Sequence, residues 1–333
     1  MNIIVDAYGG DNAPVEILKG CRMALDEMPD LTITLTGSET ALHRVAQEQG
    51  ISLARMAIVD APTVITMEDA PTEVVRAKKD CSMAEGLRLL ADGKGDAFVS
   101  AGSTGALVVG ATMIVKRIKG IKRAALAPVI PNDTGCFMLI DAGANMDCKP
   151  EYLRQFGIMG AVYMEKVMGM PNPRVGLVNV GTEDEKGGEL QHEAFALLRQ
   201  SPVNFIGNIE ARTVPSNGAD VVVADGFTGN VILKLYEGVS MTLMRKIKGV
   251  MLRNVRTKLG SALLKKDMTA LKKSIDYNEY GGAPLMGVAK PVFKAHGSSN
   301  ARTFYSALKL TRRFVEGRVI DRISDALAQL PQE

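Results

Sequence analysis

One glycine- and hydroxyl-rich segment has the composition of an anion-binding loop. It reads S-A-G-S-T-G-A from Ser100 to Ala106 and follows a short apolar run. Small residues at the start of a helix leave backbone N–H groups directed outward, and hydroxyl groups add further donors. We therefore predict that Gly102, Ser103, Thr104 and Gly105 bind a phosphate group. No G-K-[S/T] follows and the segment is not G-x-G-x-x-G, so it is not a nucleotide-binding fingerprint.

A glycine pair near the start of the chain, Gly9-Gly10, precedes Asp11 and Asn12. Glycines allow the backbone to approach a ligand closely, and Asp11 or Asn12 can cap a helix that starts at Pro14. We predict that Gly9, Gly10 and Asp11 contribute to substrate binding. An ordinary strand-to-helix turn is the alternative interpretation.

Three further loops combine glycines with polar side chains that are candidate site residues. Asn145 lies in D-A-G-A-N-M-D, Lys186 in G-T-E-D-E-K-G-G, and Asp225 and Asn230 in D-G-F-T-G-N. Amides and carboxylates can contact a ligand, and a lysine offers phosphate a positive charge. An Asx-turn explains the first loop equally well, and a charged surface loop is the alternative for the second.

His296 is the best candidate for an acid or base among the three histidines. It stands in K-A-H-G-S-S-N beside Gly297 and Ser298, which we predict to contact substrate. A structural role is the alternative for a lone histidine. No G-x-S-x-G elbow occurs, and no serine or cysteine has a histidine within local reach. A substrate that brings its own nucleophile, as phosphate does, needs no such residue.

Short apolar runs that predict β-strands precede these loops. The runs are Ile3–Val5, Leu31–Leu35, Ala97–Val99, Arg174–Val178 and Val221–Val223. Strands that alternate with helices favour a mostly parallel sheet covered on both faces, which binds ligands beyond the carboxyl ends of its strands. The uncharged stretch 97–115 approaches the length of a membrane span, but its glycines and hydroxyls better fit a strand, a tight turn and a buried helix.

The segment from about 240 to 275 predicts a protruding, basic, amphipathic helical hairpin. Between Arg245 and Lys273 it contains ten lysines and arginines and one acidic residue, Asp267. Its apolar residues recur at spacings of three and four, and Gly260-Ser261 is the predicted break between two helices. Such a hairpin suits anionic lipid or an acidic partner protein; an ordinary charged surface helix is the alternative.

Composition indicates an ordinary globular protein. The 333 residues are 46% hydrophobic and 23% charged, which excludes a disordered or fibrous chain. Tryptophan is absent and the net charge is only +3, which argues against nucleic-acid binding. The four cysteines form no C-x-x-C pair, the histidines share no ligand spacing, and Met1 leads directly into a predicted strand. We therefore expect a cytoplasmic protein without a metal.

The loops occur in the order found in one family. D-A-Y-G-G-D-N-A-P, V-S-A-G-S-T-G-A-L, L-I-D-A-G-A-N, V-A-D-G-F-T-G-N and K-A-H-G-S-S-N-A-R, with three further motifs between them, resemble the bacterial acyl-[acyl carrier protein]:phosphate acyltransferases of phospholipid synthesis. The resemblance extends from residue 1 to about residue 310. It implies one three-layer α/β/α domain over residues 1–333, similar in fold to phosphotransacetylases and isocitrate-type dehydrogenases, with no metal or organic cofactor.

The resemblance also implies a reaction and partners. Members form homodimers and transfer a long acyl chain from acyl carrier protein to inorganic phosphate, producing acyl phosphate for a membrane glycerol-3-phosphate acyltransferase. They associate peripherally with the inner face of the cell membrane, which suits the basic hairpin; acyl carrier protein is acidic, so the hairpin can dock it instead. The alternatives are a short-chain phosphotransacetylase that uses coenzyme A and a non-catalytic scaffold on a lipid surface.

A mechanism follows for the implied reaction. Phosphate bound by residues 102–105 and by Lys186 attacks the thioester carbonyl, and alignment of the two reactants supplies much of the rate. Asn145 or Asn230 stabilises the tetrahedral oxyanion. His296 protonates the departing sulfur, although a thiolate can also leave unprotonated. The acyl chain requires an apolar channel, which the sequence does not locate.

Overall fold

The structure is a computed structural model that describes residues 1–274 and 280–330. Its larger sheet has seven strands in the order β3-β2-β1-β4-β12-β11-β5. These are β1 (Asn2–Asp6), β2 (Thr32–Gly37), β3 (Met56–Asp60), β4 (Ala97–Ser100), β5 (Ala125–Leu126), β11 (Gly282–Met286) and β12 (Val292–Ala295). The first four and β12 are parallel, whereas β11 runs antiparallel to both β12 and β5.

The second sheet has five strands in the order β6-β7-β10-β8-β9. They are β6 (Val129–Asn132), β7 (Gly135–Ile140), β8 (Arg174–Asn179), β9 (Asn204–Glu210) and β10 (Val221–Val223), and only the edge strand β6 is antiparallel to its neighbour. One cluster of buried side chains joins both sheets, since it contains Ile3 and Val5 of β1 together with Met138 and Val221. The predicted mostly parallel α/β fold is confirmed, and the strands are divided between two sheets.

Helices cover the sheets. They are α1 (Val15–Glu27), α2 (Glu39–Gln49), α3 (Ser82–Ala91), α4 (Thr104–Gly110), α5 (Pro150–Lys166), α6 (Glu189–Arg199), α7 (Gly226–Met251), α8 (Val255–Leu263), α9 (Lys265–Ser274), α10 (Ala301–Glu316) and α11 (Val319–Ala328). The stretch 97–115 forms β4, a turn and α4, as predicted, and ends in a π-helical turn that was not predicted. Within the described residues, no helix combines the length and the apolar character that a membrane span requires.

The start of α1 differs from the prediction. Pro14 precedes the first helical residue, and no side chain caps the helix. The Asn12 amide instead donates to the carbonyl oxygens of Ser298 and Ser299, each at 3.2 Å. The predicted capping by Asp11 or Asn12 is therefore wrong, because Asn12 joins the loop after β1 to the loop after β12.

The basic segment is also divided differently from the prediction. The 26-residue helix α7 is about 39 Å long, and only Gly226 and Gly229 at its start are buried. Gly260 and Ser261 lie within α8, so the predicted break there is wrong. One break falls before Asn254, whose side-chain oxygen accepts from the Thr257 N–H at 3.0 Å and caps α8. A second break at Leu264 separates α8 from α9. No residue of α8 is buried.

Candidate active site between the two sheets

A cavity of about 720 Å³ lies between the carboxyl ends of β1, β4 and β12 and the start of α7. Its size is typical of a small-molecule site. The cavity brings together most of the residues predicted to contact substrate, namely Gly10, Asp11, Gly102, Ser103, Thr104, Asn230, His296, Gly297 and Ser298. The prediction that ligand-binding loops gather at the carboxyl ends of the strands agrees with this arrangement.

Gly9 and Gly105 do not line the cavity but lie behind its wall. A Cβ atom on Gly9 would lie 2.6 Å from the Gly102 nitrogen and 2.7 Å from Ser100 Oγ. A Cβ atom on Gly105 would lie 2.8 Å from Pro71 Cγ. All three distances are shorter than a Cβ atom allows, so these glycines let adjacent loops pack at close range.

Three predicted residues lie away from the cavity lining. Asn145 donates its amide to the Ala124 carbonyl oxygen at 2.7 Å and to Asp141 Oδ2 at 2.8 Å, so both amide hydrogens are already used. Asp225 caps α7, accepting from the N–H of Thr228 at 2.9 Å. Lys186 lies in the exposed loop between β8 and α6.

A buried carboxylate organises the predicted anion-binding loop. Asp6, at the end of β1, is 2% exposed and accepts from Ser82 Oγ and Ser100 Oγ, each at 2.7 Å. Ser100 Oγ in turn accepts from the Gly102 N–H at 3.0 Å. Burial raises the pKa of Asp6, and its hydrogen bonds oppose that shift. The Gly102 N–H is therefore occupied, and the hydroxyls and later N–H groups of the loop remain for a ligand.

Lys294 is the strongest candidate that the sequence interpretation missed. Its ammonium group donates to the Ala101 carbonyl oxygen at 3.1 Å and to that of Ala295, which leaves one hydrogen for a ligand in the cavity. Burial lowers the pKa of Lys294 to about 8, and the carboxylates of Asp11 and Asp6 oppose that shift. A lysine within the apolar strand V-F-K-A was the signal for this role, since such a position removes its charge from bulk water.

His296 lines the same cavity. Its Nδ1 lies 2.8 Å from Ser298 Oγ and accepts from the Ser298 N–H at 3.2 Å, which places the proton of a neutral imidazole on Nε2. The expectation that no serine has a histidine within local reach is therefore wrong, because the turn after β12 folds Ser298 back onto His296. Burial, followed by the positive charge of Lys294, lowers the pKa of His296. Both effects favour the neutral form of the imidazole, whose Nε2–H group is a hydrogen-bond donor.

The α7 helix provides one wall of the cavity. Asn230, Leu233, Lys234 and Glu237 recur at helical spacing and line it, and Lys234 Nζ lies 3.0 Å from Glu237 Oε2. The sequence interpretation selected only Asn230. Leu233, Lys234 and Glu237 were missed because they lie within the helix, after the glycine-rich turn from which Asn230 was predicted.

Asp141 fixes the loop that adjoins α7. Its carboxylate is fully buried and accepts from the N–H groups of Leu126, Gly143, Ala144 and Asn145 at 2.7–3.2 Å. This confirms the Asx-turn interpretation of the loop. The loop in turn lies against α7, because a Cβ atom on Gly229 would lie only 1.9 Å from the Asp141 carbonyl oxygen.

The described residues contain no group of three or more His, Cys, Asp or Glu side chains placed to hold a metal ion.

Solved structures with the same fold include two phosphotransacetylases. The enzyme from Streptococcus pyogenes superposes with a TM-score of 0.63 at 16% identity, and EutD phosphotransacetylase from Staphylococcus aureus with 0.61 at 17% identity. Each comparison covers 95% of this chain and 94% of the other. The predicted phosphotransacetylase-like fold is confirmed.

Sequence comparison identifies the family. A family model described as fatty acid synthesis protein matches residues 1–322. The chain is 46% identical over 333 residues to the phosphate acyltransferase of Acetivibrio thermocellus, covering 100% of this chain and 98% of that one. It is 44% identical over 330 residues to the phosphate acyltransferase of Clostridium acetobutylicum, covering 99% and 100% respectively. The chain therefore belongs to the fatty acid synthesis protein family, and its predicted resemblance to the bacterial phosphate acyltransferases is confirmed.

Proposed function

We propose that this chain transfers an acyl group from acyl carrier protein to inorganic phosphate in phospholipid synthesis, with residues 1–333 acting as one catalytic domain. The observation that carries the proposal is that Lys294 lines the same cavity as Ser103 and Thr104, with its ammonium group anchored on the Ala101 carbonyl oxygen. A cation and several neutral donors together suit a phosphate dianion.

In the proposed reaction, a phosphate oxygen attacks the thioester carbonyl carbon. A C–O bond forms, the carbonyl electrons move to oxygen, and the tetrahedral intermediate collapses with cleavage of the C–S bond. The thiolate of the carrier's prosthetic group leaves with the electron pair and takes a proton from solvent or from a neighbouring donor. Asn230 or the neutral His296 stabilises the oxyanion, while Lys294 holds the attacking phosphate in line. The cavity does not require Lys186, which takes part only if its exposed loop moves toward the substrate.

Phosphate-dependent product formation tests this function. The protein is incubated with palmitoyl-[acyl carrier protein] and phosphate, and acyl phosphate is trapped with hydroxylamine. We expect a hydroxamate that requires both substrates. Absence of phosphate-dependent product would exclude the acyltransferase function and leave the non-catalytic scaffold. Equal activity with acetyl-coenzyme A would favour the short-chain phosphotransacetylase.

We also propose that the protein is a cytoplasmic homodimer whose basic segment binds the inner face of the cell membrane. Acyl phosphate would then be released beside the membrane glycerol-3-phosphate acyltransferase. Exposed apolar side chains on α8 and at its end support this proposal, since Val255 is 73%, Leu259 67% and Leu263 86% exposed next to a largely basic sequence. Apolar side chains flanked by cations are typical of a helix that lies in a membrane interface.

Flotation with anionic vesicles tests the membrane proposal. Leu263→Glu combined with Leu264→Glu should reduce binding to phosphatidylglycerol vesicles by about tenfold or more, because two leucines no longer enter the apolar layer. The matched control is Val180→Glu with Ile206→Glu, which adds the same charge on exposed apolar residues elsewhere. Unchanged flotation of the leucine variant would show that the segment is not the anchor. A raised KM for acyl carrier protein without any flotation of the wild type would instead assign the segment to carrier docking.

A further inference from the structure

The cavity has a polar half and an apolar half. Lys294 of β12 belongs to the polar half, together with His296, Ser103 and Asp11, which follow strands of the first sheet. Eight apolar residues also line the cavity, namely Val64, Ile65, Met67, Leu126, Pro128, Val129, Ile130 and Leu233. We call these eight residues the apolar wall. The predicted reacting groups and the apolar wall therefore line one cavity.

One side of the apolar wall belongs to the folded core. Val129 and Ile130 of β6 are 2% and 1% exposed, and Ile130 packs in a buried cluster with Phe137, Leu139 and Ile209. Leu233 of α7 packs against the same cluster. Side chains held in this way present a surface of fixed shape, and that surface is shielded from bulk water.

A second part of the apolar wall is a segment that one carboxylate holds in place. Asp69 Oδ2 accepts from the Thr66 N–H at 2.6 Å, from Thr66 Oγ1 at 2.8 Å and from Lys78 Nζ at 2.7 Å. Lys78 Nζ also donates to the Val64 carbonyl oxygen at 3.0 Å. This clamp holds Val64 and Ile65 toward the cavity, while Met67, which is 74% exposed, lies at its rim.

Several polar backbone groups of the apolar wall are already paired within the protein. The Leu126 N–H donates to Asp141, and the Leu126 carbonyl oxygen accepts from Ala142 at 2.8 Å. The Pro128 carbonyl oxygen accepts from the Leu139 N–H at 3.0 Å, and proline has no N–H. A ligand with polar groups gains little on such a surface, whereas a hydrocarbon chain gains from leaving water.

We propose that the apolar wall binds the hydrocarbon chain of the acyl substrate and that Leu233 and Val64, from different parts of this wall, determine which chain lengths fit. This inference rests on the proposed acyl transfer, because it requires the thioester carbonyl to lie in the polar half. Leu233 stands one turn beyond Asn230 on α7, so the chain begins next to the reacting carbon and extends away from Lys294. Chain binding then contributes directly to the alignment of thioester and phosphate.

A chain-length series on full-length variants tests the proposal. Leu233→Trp adds bulk inside the cavity, and the matched control Leu235→Trp adds it to a 65% exposed position on the same helix. Since one methylene group in an apolar pocket changes specificity by about tenfold or more, Leu233→Trp should lower kcat/KM for palmitoyl-[acyl carrier protein] at least tenfold more than for the hexanoyl form. Leu235→Trp should leave the ratio unchanged, and the KM for phosphate should not change in either variant.

Three outcomes distinguish a failure of the chain-binding proposal from a failure of the proposed function. An equal loss at all chain lengths in Leu233→Trp and in a second variant of the apolar wall, Val64→Phe, would overturn the proposal. A selective loss in Leu235→Trp would place the chain on the outer face of α7 and would also overturn it. A wild-type protein that forms no acyl phosphate with any chain length would contradict the proposed function instead. Thermal unfolding of each variant identifies losses that arise from misfolding, and either inner variant that folds suffices for the test.

Discussion

Lys294→Met should lower phosphate-dependent turnover by about 100-fold or more, the usual effect of removing one charged donor from an enclosed site. Lys294 lines the same cavity as Ser103 and Thr104, and it is the only charged donor of the cavity that projects from a strand of the described sheets. Steady-state kinetics with the hydroxylamine assay measures the change. Lys290→Met, at an exposed lysine before the same strand, is the control and should retain wild-type activity. A Lys294→Met variant within tenfold of wild type would refute the role of Lys294.

The pH dependence gives the same prediction a second readout. Because burial lowers the pKa of Lys294 to about 8, the amine is charged below pH 8 and loses its proton above it. We expect kcat/KM for phosphate to fall as the pH rises through 8. Lys294→Arg should lack this fall, because a guanidinium group stays charged. The same lowered pKa means that the charged amine destabilises the fold below pH 8, so Lys294→Met should unfold at the same temperature or higher.

Asp141→Ala should lower the free energy of unfolding by about 3 kcal/mol or more. The buried carboxylate accepts from four backbone N–H groups and from the Asn145 amide. Its removal leaves several buried donors without a partner, each of which costs about 1–3 kcal/mol. Denaturant titration followed by circular dichroism measures the change. Activity should fall with stability, because Ala142 and Gly143 line the cavity.

Asp147→Ala is the matched control for this prediction. Asp147 ends the same loop but is exposed, so its replacement should change stability by no more than about 0.5 kcal/mol. Equal stability of the two variants would show that water replaces the lost hydrogen bonds and that the loop does not depend on Asp141.

The positions of several strands and of the loops that follow them could be predicted from the sequence, since both depend on local patterns. Apolar runs marked β1, β2, β4, β8 and β10, and the glycines after them marked the turns. The division into two sheets was not predictable. It depends on short strands such as β5, which has two residues, and on pairings such as β11 with β5 that join distant parts of the chain.

The candidate site was predicted where composition identifies a loop and was missed where a side chain projects from a regular element. His296 and Ser103 were predicted because glycines and hydroxyl residues surround them in the sequence. The roles of Lys294 and Leu233 could not be predicted in this way, because they depend on which face of a strand or helix lines the cavity. Asn145 and Asp141 are polar residues of one loop whose composition suggested a binding site. The hydrogen bonds of the structure show instead that both side chains stabilise the loop itself.

The basic segment shows how a glycine can mislead. Gly260 suggested a break, but an exposed helix tolerates glycine at a cost of about 1 kcal/mol. The reliable signal was N-V-R-T from Asn254 to Thr257, in which side chain and backbone pair reciprocally at the start of α8.

The close packing of Gly9 against Gly102 couples the effects of substitutions in the loops after β1 and β4. Ser100 Oγ donates to Asp6 and accepts from the Gly102 N–H, and Gly9 packs against both Ser100 and Gly102. The loops after β1 and β4 thus share their partners, so the effects of substitutions in them are not additive. A second substitution in the shared contact should therefore lower the free energy of unfolding by less than the same substitution does alone. A substituent that enlarges one loop can be accommodated only if the other changes with it, and the two loops must therefore diverge in sequence together.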